Sequence, residues 1–125
     1  MNAMDAHAAY RANSVTTASP ARLLVMLLER LVLDIERARG AQERTAWADA
    51  HRDLLHAQDI VLELESSLVV EQMPAGSQLA ALYAYLRGRL VEANVRRRVE
   101  VTDEALTLAR QLCDTWREAA MAAVS

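Results

Sequence analysis

Four stretches of this chain space their apolar residues at steps of three and four, and no other feature restricts its fold as strongly. Leu24, Leu27, Leu31, Ile35 and Ala38 make the first stripe, and Ala50, Leu54, Ala57, Val61, Leu64 and Leu68 the second. Leu79, Leu82, Leu86, Leu90 and Ala93 make the third, and Ala105, Leu108, Leu112, Trp116 and Ala119 the fourth. That period is the inward face of an amphipathic helix. Four such helices joined by short turns predict an all-α protein, an antiparallel up-down four-helix bundle. Composition agrees: 53% of the 125 residues are hydrophobic and 4% aromatic, so the core is expected from Leu, Ala and Val on helices.

Helix boundaries follow from local chemistry. Ser19 can accept an orphan backbone N–H, and Pro20 lacks the donor that its position cannot use, so the first helix opens at Pro20. It is expected to run to about Arg39, with Gly40 as its stop and Thr45 capping the second helix. The second helix should be the longest element, reaching about Glu71. Pro74, Ala75, Gly76 and Ser77 break the pattern, and the third helix spans about Gln78 to Arg96. Thr102, followed by Asp103 and Glu104, has the hydroxyl and early acids that suit the start of the fourth. Residues 1–18 stand outside the pattern and are expected to be a mobile N-terminal arm, with residues 19–125 forming the bundle.

Charge and motifs narrow the function. The formal net charge is -3 and the pI about 5.6, which gives no global field toward nucleic acid or an anionic membrane. Arg87, Arg89, Arg96, Arg97 and Arg98 gather near one helix end, where the macrodipole favours cations, and no interleaved aromatics offer base stacking. The opening fifteen residues carry Asp5, His7 and Arg11 without a continuous apolar run, so no secretory signal is expected. Nor is membrane insertion, since no segment approaches ~18 uncharged apolar residues. Cys113 is alone, which suits a reducing compartment and a cytoplasmic protein.

Bundles can house metal centres, but a di-iron site wants two Glu-x-x-His motifs and further inward glutamates. Asp53 with His56 is the one distant imitation. His51 and His56 are five residues apart, about 140° around a helix, and poorly placed to share one metal. No Gly-rich phosphate loop or nucleophile elbow is present. The chain is expected to be no enzyme and to need no cofactor.

What remains is more apolar surface than one seam uses, with Leu23, Met26, Leu33, Leu55 and Leu62 beside the inward stripes. Such surface serves a partner or packs against a second copy, as in a self-associating structural bundle with no peptide cargo.

Several segments together are similar to the FliS family of flagellin export chaperones. Tyr10, Val15, Thr17, Ala18, Ser19, Pro20, Leu23, Met26 and Leu27 resemble its N-terminal motif, and Ala57, Gln58, Ile60, Glu63, Leu64 and Leu68 its second-helix motif. Leu79, Leu82, Tyr83, Tyr85, Leu86, Leu90, Ala93 and Asn94 resemble the third helix, and Trp116 the closing aromatic. Departures from the family pattern stand at Leu28 and Arg30 around Glu29, at His56 where Lys is common, and at Arg98 where an acid is common.

The resemblance implies a cytoplasmic chaperone that binds the disordered C-terminal segment of flagellin. It would prevent premature polymerisation and deliver the subunit to the flagellar type III export gate, working as a monomer or weak homodimer. Flagellin binding is expected from Leu64, Leu68, Leu79, Leu82, Tyr83 and Leu86, where the second and third helices meet. Asn94 would either hold the partner's backbone or cap the third helix. Tyr10 and Val15 would anchor the arm and take part in contact with the export gate.

Overall fold

The structure, a computed structural model, describes residues 19–124. Helix α1 (Pro20–Glu43) is followed by α2 (Trp47–Ser67), a 3-10 turn (Val70–Gln72), α3 (Gly76–Arg96) and α4 (Val99–Val124). Each long helix packs on its neighbour in sequence, and α4 closes the ring against α1. The described residues therefore form an all-helical up-down bundle, and no helix among them is long and apolar enough to cross a membrane.

Helix α1 begins as its cap chemistry requires: Ser19 accepts from the Arg22 backbone N–H at 3.1 Å, with Pro20 in the first turn. The stripes converge on one core of Leu31, Ile35, Leu54, Val61, Leu64, Leu86, Leu90, Ala105 and Leu112, joined by Leu28, Tyr83 and Ala109, with Leu24, Leu27 and Trp116 partly buried against it; Ala119 of the fourth stripe is exposed. Each fully buried leucine contributes about 1.5–3 kcal/mol through removal from water. The core is also anchored by polar groups. Gln42, buried near the end of α1, donates to the Ala93 carbonyl at 3.2 Å and accepts from the Thr102 hydroxyl at 2.6 Å.

These bonds move two expected boundaries. Helix α1 passes Gly40 and ends at Glu43, because Ala41 and Gln42 are buried and Gln42 is tied to both α3 and α4. Helix α4 starts at Val99 instead of Thr102, whose hydroxyl is spent inside the bundle on Gln42. Thr45 is not a cap: it takes a left-handed backbone at φ 55 and its hydroxyl donates to the Arg44 carbonyl, while Ala46 precedes α2 without a side-chain cap.

Helix α2 stops at Ser67, four residues short of Glu71, and α4 with 26 residues is longer than its 21. Ser66 and Ser67 donate to the Leu62 and Leu64 carbonyls, and the β-branched pair Val69 and Val70 follows. Both features weaken helix propagation. Helix α3 opens at Gly76, two residues before Gln78. A Cβ at Gly76 would lie 2.5 Å from the Val70 carbonyl oxygen, so glycine lets the 3-10 turn close onto the helix start.

Candidate functional site

The seam between α2 and α3 carries an apolar surface that the core does not use. On α2, His51, Leu55, Gln58, Leu62 and Glu65 recur at steps of four and three, which puts them on one side of the helix. The side is identified by its ends. Asn94 of α3 donates to His51 Nδ1 at 2.9 Å, and Arg87 of α3 grips Glu65 through two bonds of 2.6 and 3.3 Å. Val91 lies between Arg87 and Asn94 on α3 at the same steps.

Two polar rungs thus bracket Leu55, Leu62 and Val91, which are 43%, 46% and 41% exposed. The rungs are fourteen residues apart on α2, about 21 Å at the helical rise, and seven apart on α3, about 10.5 Å. Below Leu62 the chain adds Val69 and Val70, both exposed, at the base of the bundle. An apolar strip of this length with hydrogen-bonding groups at its ends suits one face of an amphipathic segment. The Glu65 carboxylate raises the Arg87 guanidinium above its ordinary range, chiefly through that hydrogen bond.

The residues expected to bind a partner divide by depth. Leu64, Tyr83 and Leu86 lie in the interior, at most 2% exposed. Burial pushes the Tyr83 phenol above its usual range, and the Trp116 side chain pulls it partly back. Leu68, Leu79 and Leu82 are partly buried and packed on the core from its edge. Asn94 reaches His51, and the C-cap of α3 is Arg97 in a left-handed conformation, so the capping reading of Asn94 is replaced by a tie across the seam. Tyr10 and Val15 lie outside the described residues.

Leu55 and Leu62 were legible in the sequence as a second apolar stripe; Val91 was not, because one valine on a helix carries no periodic signal. Met26 is exposed on α1, as the surplus reading of that helix expects.

Two family departures meet at one buried group. Asp34 is 1% exposed on α1, and its carboxylate accepts from Arg30 Nε at 3.1 Å and pairs with His56 Nδ1 of α2. Arg30 supplies a counter-charge and His56 a second polar partner for this buried carboxylate. Leu28 fills the core, and exposed Arg98 pairs with Glu100 at 3.6 Å. The basic cluster is similarly absorbed: Arg89 and Arg96 pair with Glu92, and Arg97 covers the Trp47 ring at 5.0 Å.

The sequence model of the family described as "Flagellar protein FliS" matches residues 2–123. The flagellar secretion chaperone FliS of Bacillus subtilis is 29% identical over 119 residues, 95% of this chain and 89% of that protein. Its counterpart in Escherichia coli is 31% identical over 108 residues, covering 85% and 79%. The solved structure "Crystal structure of flagellar chaperone from bacteria" superposes with a TM-score of 0.75 over 96% of this chain and 98% of that one. At 21% identity that likeness speaks to the fold.

Proposed function

Because the chain belongs to the FliS family of flagellar secretion chaperones, a family of chaperones and not of enzymes, we propose that it binds the disordered C-terminal segment of flagellin in the cytoplasm. Bound flagellin would be kept from polymerising and carried to the type III export gate. The observation that carries the reading is the exposed strip of Leu55, Leu62 and Val91 between the His51–Asn94 and Glu65–Arg87 rungs. Unfolded amphipathic segments associate through their apolar faces, and a strip of leucines covers such a face at the cost of ordering it.

In this reading the outer strip makes the first apolar contacts, and partly buried Leu68, Leu79 and Leu82 extend them at the edge. Asn94 supplies a polar anchor. Leu64, Tyr83 and Leu86 form the floor beneath, contributing through the shape of the core. Tyr10 and Val15 are assigned to the gate side of the cycle. Deleting residues 1–18 is expected to leave flagellin affinity unchanged or stronger and to weaken binding to the gate protein.

The test is calorimetry with a flagellin C-terminal peptide. A 1:1 complex with a strongly negative heat-capacity change is expected. Leu55→Asp combined with Leu62→Asp should abolish binding while the melting temperature stays near that of the parent. A stable homodimer whose formation depends on the same leucines, and no peptide binding at tens of micromolar, would instead establish the self-associating bundle.

A further inference from the structure

On the opposite flank of α2, its seam with α1 opens into a groove of about 640 Å3. Leu33, Arg37, Gly40 and Arg44 of α1 and Asp49 and Arg52 of α2 line it. We propose that this groove docks an acidic helix of a partner protein, with carboxylates seven residues apart meeting Arg37 and Arg44.

The pairing of charges singles out these two arginines. Every other arginine of the described residues has a carboxylate partner, except Arg97, which covers Trp47. Arg37 and Arg44 have none among the described residues, although the chain is net acidic. Arg44 caps α1, where the macrodipole favours a cation. Arg37 sits two turns earlier, beyond the reach of that effect, and its exposed guanidinium has no structural employment.

The geometry between them suits a helix. Arg37 and Arg44 are seven residues apart, so they project from one side of α1 with about 10.5 Å between them along the axis. Gly40 lies between them without a side chain, and the Arg44 guanidinium folds back over it, with Nη1 3.3 Å from where a Cβ would stand. Half-buried Leu33, one turn before Arg37, offers an apolar foothold.

The opposite wall has a different sign. Arg52 is shared between Asp49 at 3.1 Å and Asp53 at 3.7 Å, leaving α2 with one carboxylate in excess. A phosphate backbone brought against Arg37 and Arg44 would face that wall with like charge. A helix can present acids to α1 and neutral or basic groups to α2. Nucleic acid is therefore the disfavoured occupant. The inference is independent of the flagellin reading, since its residues are on the other flank of α2.

A fluorescein-labelled, stapled alanine-based helix with two glutamates seven residues apart and one leucine between them is the probe. Its control has the same composition with the glutamates five apart, on diverging faces. Fluorescence anisotropy on the full chain should show binding of the first peptide, weakened by added salt, and little binding of the second. Arg37→Gln with Arg44→Gln should lower affinity about tenfold, the size expected for loss of paired charge contacts. If that double variant melts early, Arg37→Glu alone serves, because it should prefer a version of the peptide carrying lysine in place of glutamate at that position.

No binding of the in-register peptide, equal binding of both spacings, or unchanged affinity in the folded variants would overturn the proposal. So would tighter binding of a short duplex DNA. Displacement of the probe by the flagellin C-terminal peptide would assign the groove to cargo, and would overturn its separate role while leaving flagellin binding itself intact.

Discussion

The α1–α4 seam and the α2–α3 seam bury similar leucines and finish their outer edges differently. Along α1 and α4, Glu29 meets Arg117 at 3.0 Å, Glu36 meets Arg110 at 3.4 Å, and Arg39 pairs with Asp103. The first two pairs are seven residues apart on both helices, a ladder that repeats every second turn. Beneath it Cys113 and Ala109 are buried. Along α2 and α3 two rungs stand fourteen residues apart on α2 and seven apart on α3, and the interval holds exposed Leu55, Leu62 and Val91. At the charged edge the flanking Val32 and Leu33 stay half-buried, whereas the rungs of the other seam hold two helices together and leave Leu55, Leu62 and Val91 exposed. One bundle can thus reserve one seam for its own register and another for a partner.

The sharpest way to break this comparison is to truncate leucines at two depths of the same pair of helices. Leu54→Ala and Leu86→Ala, both fully buried, should each cost ~2–5 kcal/mol in denaturant unfolding. Leu55→Ala and Leu62→Ala should each stay within roughly 0.5 kcal/mol, as surface changes do. A loss at Leu62 comparable to that at Leu86 would mean the strip is core, and the contrast between the seams would disappear.

A smaller effect is expected at the polar end of the core, which both seams share. Thr102→Val keeps the volume but removes the hydroxyl that donates to Gln42 at 2.6 Å, leaving a buried acceptor unpaired. The expected cost is ~1–3 kcal/mol. Thr102→Ser should recover most of it, because it restores the donor. If Val and Ser behave alike, Gln42 is satisfied in some other way, and the extension of α1 past Gly40 needs a different cause.

That end of the molecule also shows why parts of it were illegible in the sequence. The four stripes and the start of α1 were readable, because period and cap chemistry are local. The turns were not. Each connection uses a left-handed residue that is not glycine: Thr45, Ala75 and Arg97, at φ 55, 59 and 54. Glycine is the usual signature of such positions, so Gly40 drew the stop that belongs after Glu43. Thr102 resembled a cap because its partner, Gln42, is sixty residues away. The apolar surplus at Leu55 and Leu62 was visible as a stripe, but depth is a tertiary property. The stripes set Leu64 on the inward face and Leu62 beside it, and the packed bundle shows how deep that difference runs: 1% against 46% exposed, two residues along the same helix.

The smallest effect tests the ladder itself. Glu36 and Arg110 are both largely exposed, so solvent and salt screen their attraction. A double-mutant cycle with Glu36→Gln and Arg110→Gln should give a coupling of ~0.2–1 kcal/mol at low salt, shrinking as salt is added. The ladder's effect should be clearer in local opening than in global stability, and Cys113 reports it. Burial raises this thiol above its ordinary range, with Arg117 pulling it partly back, so it reacts with a disulfide reagent only when the α1–α4 seam parts. Labelling should be far slower than in the unfolded chain and should quicken in either single variant. The charge-swapped pair Glu36→Arg with Arg110→Glu should slow it again. Substitutions at Leu55 and Leu62 should leave the Cys113 rate untouched, since they sit on the other seam. A rate that rises equally for both sets would mean that the two seams open together, and that the ladder guards no seam of its own.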